Sequence, residues 1–232
     1  MVSVIIMDLG GVVLKEPAIT LYDTLPSVIQ EQLPSEGLSV PLFHRVFDFI
    51  HHVTQRDYKR DWFMGNVHGS ILTSIVHEHI DNLKYKHFFH APYEKLLIAH
   101  GASIILEPAP LAEYTQLFHE GIAFIEHARR KGLRVMVLSN WDPYSFILLQ
   151  QKFSELFALF DAKDVFIPAS IGHAKPEKEA FSVILEQHTI VPEQCLFIDD
   201  NERNVQTAHE YGMHVIQHND WQITKKFLEG II

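Results

Sequence analysis

Four short apolar runs rich in β-branched residues punctuate the chain: "VSVIIM" (2–7), "LRVMVL" (133–138), "CLFI" (195–198) and "HVIQ" (214–217). Continuous runs of this length, without polar alternation, suit strands covered on both faces, as in a parallel sheet. The segments between the later runs change to helical spacing. "EGIAFIEHARRKG" (120–132) places Ile122, Ile125, Ala128 and Arg129 at helical intervals and ends in basic residues and Gly132. "PEKEAFSVILEQH" (176–188) starts with proline and keeps its acids early, and "NERNVQTAHEYG" (201–212) ends at a glycine. Alternating strand and helix predicts a doubly wound α/β core.

Residues 15–118 break this rhythm. Amphipathic stretches such as "LFHRVFDFIHHV" (42–53) and "GSILTSIVHEHIDNL" (69–83) predict a mostly helical insertion after the first strand, and the turn-rich "LEPAPLAEY" (106–114) its return. The expected division is therefore a core of 1–14 and 119–232 and a helical cap of 15–118.

Composition narrows the class. The 232 residues are 47% hydrophobic and 21% charged, which suits a globular protein and argues against disorder. A net charge of −10, with no basic block, offers nucleic acid no phosphate-binding stripe. The single cysteine, Cys195, lies in an apolar run and fits a reducing compartment. The first residues lack a basic n-region, and no run approaches the roughly 20 apolar residues that span a bilayer. These features predict a soluble cytoplasmic protein, a monomer or homodimer, with neither nucleic acid nor membrane as partner.

In open α/β sheets ligands bind beyond the carboxyl ends of the strands. There the first run delivers "DLGG" from Asp8, the second "SNWD" from Ser139, and "CLFI" delivers "DDNERN" from Asp199. A fourth polar element, "GHAKPEKEAF", follows the short run "VFI" (165–167) and puts Lys175 just before a helix. A carboxylate, a hydroxyl, a lysine and an acidic pair at one sheet edge suit phosphoryl transfer. Mg²⁺ takes hard oxygen ligands and screens the charge between a carboxylate nucleophile and a phosphate. Ser139 and the turn after it offer hydrogen bonds to phosphate oxygens, Lys175 a point charge, and the glycines after Asp8 a close backbone approach.

These four elements, in this order, resemble the haloacid dehalogenase-like (HAD) superfamily of hydrolases, with the insertion placed like that family's helical cap. The resemblance implies a Rossmann-like core, Mg²⁺, and a small phosphate ester, such as a sugar phosphate, as substrate. It implies that Asp8 is the nucleophile of an aspartyl-phosphate, that Ser139 and Asn140 bind the phosphate, and that Lys175 stabilises the transferring group. Asp199 becomes the main carboxylate metal ligand, Asp200 a second ligand or the partner of Lys175, and the Gly10 carbonyl the main-chain ligand.

One position departs. Family phosphatases carry an aspartate two residues after the nucleophile as general acid and base, a role worth about 10²–10⁴-fold. Here that residue is Gly10. A metal-independent 2-haloacid dehalogenase, whose halide leaves without a proton, and a non-catalytic phosphate-binding regulator are the alternative readings. An enzyme without that acid is expected to favour substrates with good leaving groups.

Other features read more plainly. Two adjacent acids after a buried strand either cap the helix at 201–212 or face a cation. Asn204 is a candidate supporting residue, Trp141 a candidate for the pocket rim, and His173 a loop residue near Lys175. The cap aromatics Phe43, Phe47, Phe49, Trp62 and Phe63 are expected to form its core. The histidines of "HEH" (77–79) point to different helix faces and make a poor chelate.

Overall fold

The apolar runs pair into one parallel sheet. A computed structural model of the chain describes residues 2–15, 25, 27–30 and 42–228. In chain order the strands are β1 (Val4–Met7), β2 (Leu14–Lys15), β3 (Gln116–Leu117), β4 (Arg134–Leu138), β5 (Val165–Phe166), β6 (Cys195–Asp199) and β7 (His214–Gln217). Five of them form the main sheet in the order β5-β4-β1-β6-β7, and every pair in it is parallel. The chain runs from β1 outward through β4 to β5, then returns to the other side of β1 for β6 and β7. That reversal opens a crevice at the carboxyl ends of the central strands, beside β1.

Register decides what reaches the crevice. Met7 pairs with Val137 on one side and Ile198 on the other. Asp8, the next residue, is therefore level with Asp199, and its N–H donates to the Ile198 carbonyl at 2.9 Å. Side chains alternate across a strand. Val4, Ile6, Cys195 and Phe197 share one buried cluster with Ala180, Phe181 and Ile184 of the helix Lys178–His188. The residues between them, Ile5, Met7, Leu196 and Ile198, are equally buried on the opposite face. Burial on both faces is the physical reason that these strands read as unbroken apolar runs.

Two units emerge from the contacts, one of Met1–Lys15, Gln116–Asp142 and Gln150–Ile232, the other of Glu16–Thr115 and Pro143–Leu149. The β2–β3 ribbon falls in the first unit, and Pro143–Leu149 falls in the second, a segment that the sequence places with the core.

The second unit is built from the helices Leu42–Thr54, Lys59–Phe63, Gly69–His79, Pro92–Ile105 and Pro108–Tyr114. Phe47, Phe49, Trp62 and Phe63 are buried in its core and Phe43 packs against it. The histidine-rich stretch is structural: His77 Nε2 lies 2.9 Å from the Ser103 hydroxyl, and His79 packs on Tyr85. The sequence misses one element there. Residues 108–114 form a helix rather than a turn-rich return, because Pro108 occupies a first-turn position where its missing N–H costs no hydrogen bond. Among the described residues no helix is long and apolar enough to cross a membrane.

Candidate active site

Lys175 is the centre of the crevice. Its ammonium lies 2.8 Å from Asp8 Oδ2 and 2.5 Å from Asp199 Oδ2, with no exposed side-chain surface. The shared sheet face explains the meeting. Asp8 continues the alternation of Val4 and Ile6, Asp199 that of Cys195 and Phe197, and Lys175 precedes the helix packed on that face. Asn140 fixes the lysine's main chain: its amide nitrogen donates to the Lys175 carbonyl at 2.7 Å and its amide oxygen accepts the Lys175 N–H at 2.9 Å. The Asn140 side chain thus acts on the lysine instead of standing open for phosphate.

Asp199 is held by three donors. Besides Lys175 it accepts from Asn204 Nδ2 at 2.9 and 3.1 Å and from the Asn201 N–H at 2.9 Å. Asp200, one residue on, has the opposite strand parity and is exposed. The partner of Lys175 is therefore Asp199 and not Asp200. Neither acid caps the following helix; Asn201 does so, its side chain accepting from the Arg203 N–H at 3.0 Å.

The electrostatics follow from burial. Desolvation opposes charge on Lys175, but Asp199 and then Asp8 outweigh it and hold the ammonium above its ordinary value. Burial pushes Asp199 up, and Lys175 pulls it back. Asp200 is raised to about 6, first by burial of its carboxyl and then by the charge of Asp8. Although the residue has exposed surface, its carboxylate is crowded at the crevice mouth.

Asp8, Asp199 and Asp200 each offer a carboxylate oxygen, and these lie within 4.8 Å of one another. Asp8 Oδ1 is oriented by the Leu9 N–H at 2.7 Å. The turn below it supplies the remaining piece. Gly11 has φ +69°, and a Cβ there would lie 2.3 Å from Asp200 Oδ2. The Asp200 carboxylate therefore rests on bare backbone. Hard oxygen donors, an Asp200 carboxyl raised by burial and by the charge of Asp8, and a cradle that any side chain would fill fit a Mg²⁺ ion.

Ser139 follows β4 and is buried, its N–H donating to the Phe166 carbonyl at 3.0 Å. Gly10 is in the turn after Asp8, bridged to Leu14. Trp141 is 5% exposed, a buried residue more than a rim. His173 pairs with Glu177 at 3.2 Å. Cys195 is buried in β6, and burial pushes its thiol up to about 11.

A family model described as "Hydrolase: haloacid dehalogenase-like hydrolase" matches residues 2–212. The chain belongs to the haloacid dehalogenase-like hydrolases. Over 99 residues it is 30% identical to D-ribitol-5-phosphate phosphatase of Bacteroides thetaiotaomicron, covering 40% of this chain and 48% of that protein. Over 101 residues it is 34% identical to a phosphatase of Mycobacterium tuberculosis, covering 43% and 45%. The chain thus spans about half the length of these curated relatives. Among solved structures, a HAD family enzyme of B. thetaiotaomicron in complex with magnesium and inorganic phosphate superposes with a TM-score of 0.56. It is 17% identical, over 97% of this chain and 99% of that one. L-2-haloacid dehalogenase of Xanthobacter autotrophicus superposes at 0.54, 17% identical over 93% and 76%. At these identities the likeness shows the HAD fold, which is common to both chemistries.

One residue of the site escapes a motif reading, and a second, Asn204, is a candidate without a partner there. Gly11 reads as one of two interchangeable glycines, although only a contact with Asp200 singles it out. Asn204 carries a signal, five residues after Asp199 and one helical turn from its cap, that leaves its partner open. Gly11→Ala is expected to strain the left-handed backbone by about 1–2 kcal/mol and to push the Asp200 carboxylate off its seat. Urea denaturation checks the first effect, and loss of Mg²⁺-induced thermal stabilisation the second.

Proposed function

We propose that the chain is a Mg²⁺-dependent phosphatase of small phosphate esters that works through an aspartyl-phosphate on Asp8. The observation that carries this reading is the division of labour between the two adjacent acids. Asp199 neutralises the buried Lys175, so Asp200 is left beside Asp8 on the Gly11 cradle. Asp8, Asp200 and the Gly10 carbonyl would hold the metal. Asp199, whose lone pairs are taken by Lys175, Asn204 and Asn201, supports it from behind, which reverses the roles that the resemblance assigns to the two acids. Bound there, Mg²⁺ would supply positive charge against the phosphate oxygens.

In this mechanism Asp8 attacks with the carboxylate that Leu9 N–H and Lys175 orient. An oxygen–phosphorus bond forms to Asp8 as the bond to the leaving oxygen breaks. Lys175, kept protonated by its two carboxylates, neutralises charge on the transferring group, and the Ser139 hydroxyl donates to it. Water then attacks phosphorus, releasing phosphate and restoring Asp8. With Gly10 in the acid's place, the leaving oxygen takes its proton from solvent. Substrates that depart as stable anions, such as anomeric sugar phosphates and aryl phosphates, are therefore favoured over alkyl phosphates. The relative named for D-ribitol 5-phosphate, a primary alkyl ester, supports a small phosphate ester as the substrate class and runs against the leaving-group ranking, which rests on Gly10 alone.

A second reading, a metal-independent dehalogenase, is favoured by Gly10 and by the shared fold of the Xanthobacter enzyme. Phosphate release from paired sugar 1- and 6-phosphates and an aryl phosphate, with Mg²⁺ and with chelator, separates the two. Mg²⁺-dependent release that Asp8→Asn abolishes, ranked by leaving group, is expected. Halide release in chelator, or equal turnover of 1- and 6-phosphates, contradicts the corresponding part of the proposal.

Acid conditions provide a further check. Asp200, raised to about 6, takes up a proton in the folded state that it does not bind unfolded above about pH 4. From this group alone, the metal-free protein loses stability as pH rises through that window, and a bound cation offsets the loss. Below it, Mg²⁺ must displace a proton. The rise in Tm on adding Mg²⁺ is therefore expected to be larger near pH 7.5 than near pH 5, and equal shifts contradict Asp200 as a ligand.

A further inference from the structure

The turn that carries Gly10 and Gly11 is pinned from the far end of the chain. Leu9 to Leu14 fold tightly, the Leu9 carbonyl accepting the N–H groups of Val12, Val13 and Leu14 at 2.7 to 3.2 Å. Beyond the turn, the Phe118 N–H donates to the Val13 carbonyl at 2.8 Å, which ties the β2–β3 ribbon to it. The Val12 carbonyl has a different partner. It accepts the indole N–H of Trp221 at 2.9 Å, across 209 residues of sequence.

Trp221 is held for this contact on every side. It opens the helix Trp221–Leu228, whose first turn is capped by Asp220 accepting from the Ile223 N–H at 2.8 Å. Its ring packs on Phe124 at 5.4 Å and on His218 at 4.8 Å. His218 is itself held by Thr224, 2.8 Å away, and its N–H donates to the Asp199 carbonyl at 2.9 Å. A Cβ on Gly121 would lie 3.1 Å from the indole and 3.3 Å from the Val13 Cα, so this glycine lets helix, indole and turn meet. One buried segment thus touches the backbone on both sides of the crevice, at Val12 and at Asp199.

We propose that Trp221 is a positioning residue for the Asp8 turn. Its N–H fixes the Val12 carbonyl, and thereby the places of the Gly10 carbonyl and of the Gly11 backbone under Asp200. The inference rests on the metal-site reading above. A plain core tryptophan would contribute ring burial alone, and Phe would replace it at the cost of stability without touching the metal. A positioning tryptophan acts through one N–H.

The test compares Trp221→Phe, which removes the N–H, with Phe124→Leu, which loosens the same packing and keeps it. Hydrogen exchange is expected to quicken about two- to tenfold at the Val12, Val13 and Leu14 amides in Trp221→Phe, the range set by one hydrogen bond. It is expected to stay unchanged there in Phe124→Leu. The Mg²⁺ concentration for half-maximal phosphate release should rise by a similar factor in Trp221→Phe alone, with KM for an aryl phosphate unmoved. Should Trp221→Phe fail to fold, a benzothienylalanine at 221, with sulfur in place of the N–H, carries the same expectation. Unchanged exchange and Mg²⁺ half-saturation without the N–H, or equal shifts in Phe124→Leu, overturn the proposal. Wild-type protein that neither binds nor needs Mg²⁺ overturns instead the phosphatase reading on which it rests.

Discussion

A buried ammonium must have anions beside it, and the site is arranged around that requirement. Lys175 has no exposed side-chain surface, and leaving its charge unpaired would cost several kcal/mol. Asp8 and Asp199 meet the need from adjacent strands, at 2.8 and 2.5 Å. Each is fixed in turn: Asp8 by the Leu9 N–H, Asp199 by Asn204 and Asn201, and the lysine's own main chain by Asn140. The pairing also governs what remains. With Asp199 paired to Lys175, Asp200 sits next to Asp8 and over a glycine, its carboxyl raised to about 6 by burial and by the charge of Asp8. Preorganisation of this kind places charge before any ligand arrives, which is the usual way such sites lower barriers.

The proposed reaction class rests on that charge pattern, and the group missing at position 10 bounds its proposed range. Nothing at position 10 can hold or deliver a proton, because glycine ends at its backbone. The turn that carries it is closed by three N–H groups on the Leu9 carbonyl.

Much of this was legible in the chain. The strands 4–7, 134–138, 195–199 and 214–217 coincide with the apolar runs because both faces of the sheet are covered, and that leaves no alternation to confuse the period. Asp8, Ser139 and Asp199 at strand ends were legible for the same reason. The different contacts of the acidic pair were not legible from two neighbours in sequence. Their contacts separate them: Asp199 continues Cys195 and Phe197 toward Lys175, and Asp200, past the end of the strand, lies over Gly11. The side chain of Asn140 turns to a partner 35 residues away, which its adjacency to Ser139 does not disclose. The Trp221 contact with Val12 joins opposite ends of the chain, beyond any local pattern. The helix 108–114 was hidden by prolines that a first turn tolerates.

The most direct measurement is a calorimetric Mg²⁺ titration of Asp200→Asn beside the wild type, at neutral pH and with folding verified. The division of labour between the two acids predicts binding to the wild type and its loss, by tenfold or more in affinity, in Asp200→Asn. Undiminished binding in that variant would contradict the central claim, since the metal would then have to be held by the acid that Lys175 already occupies.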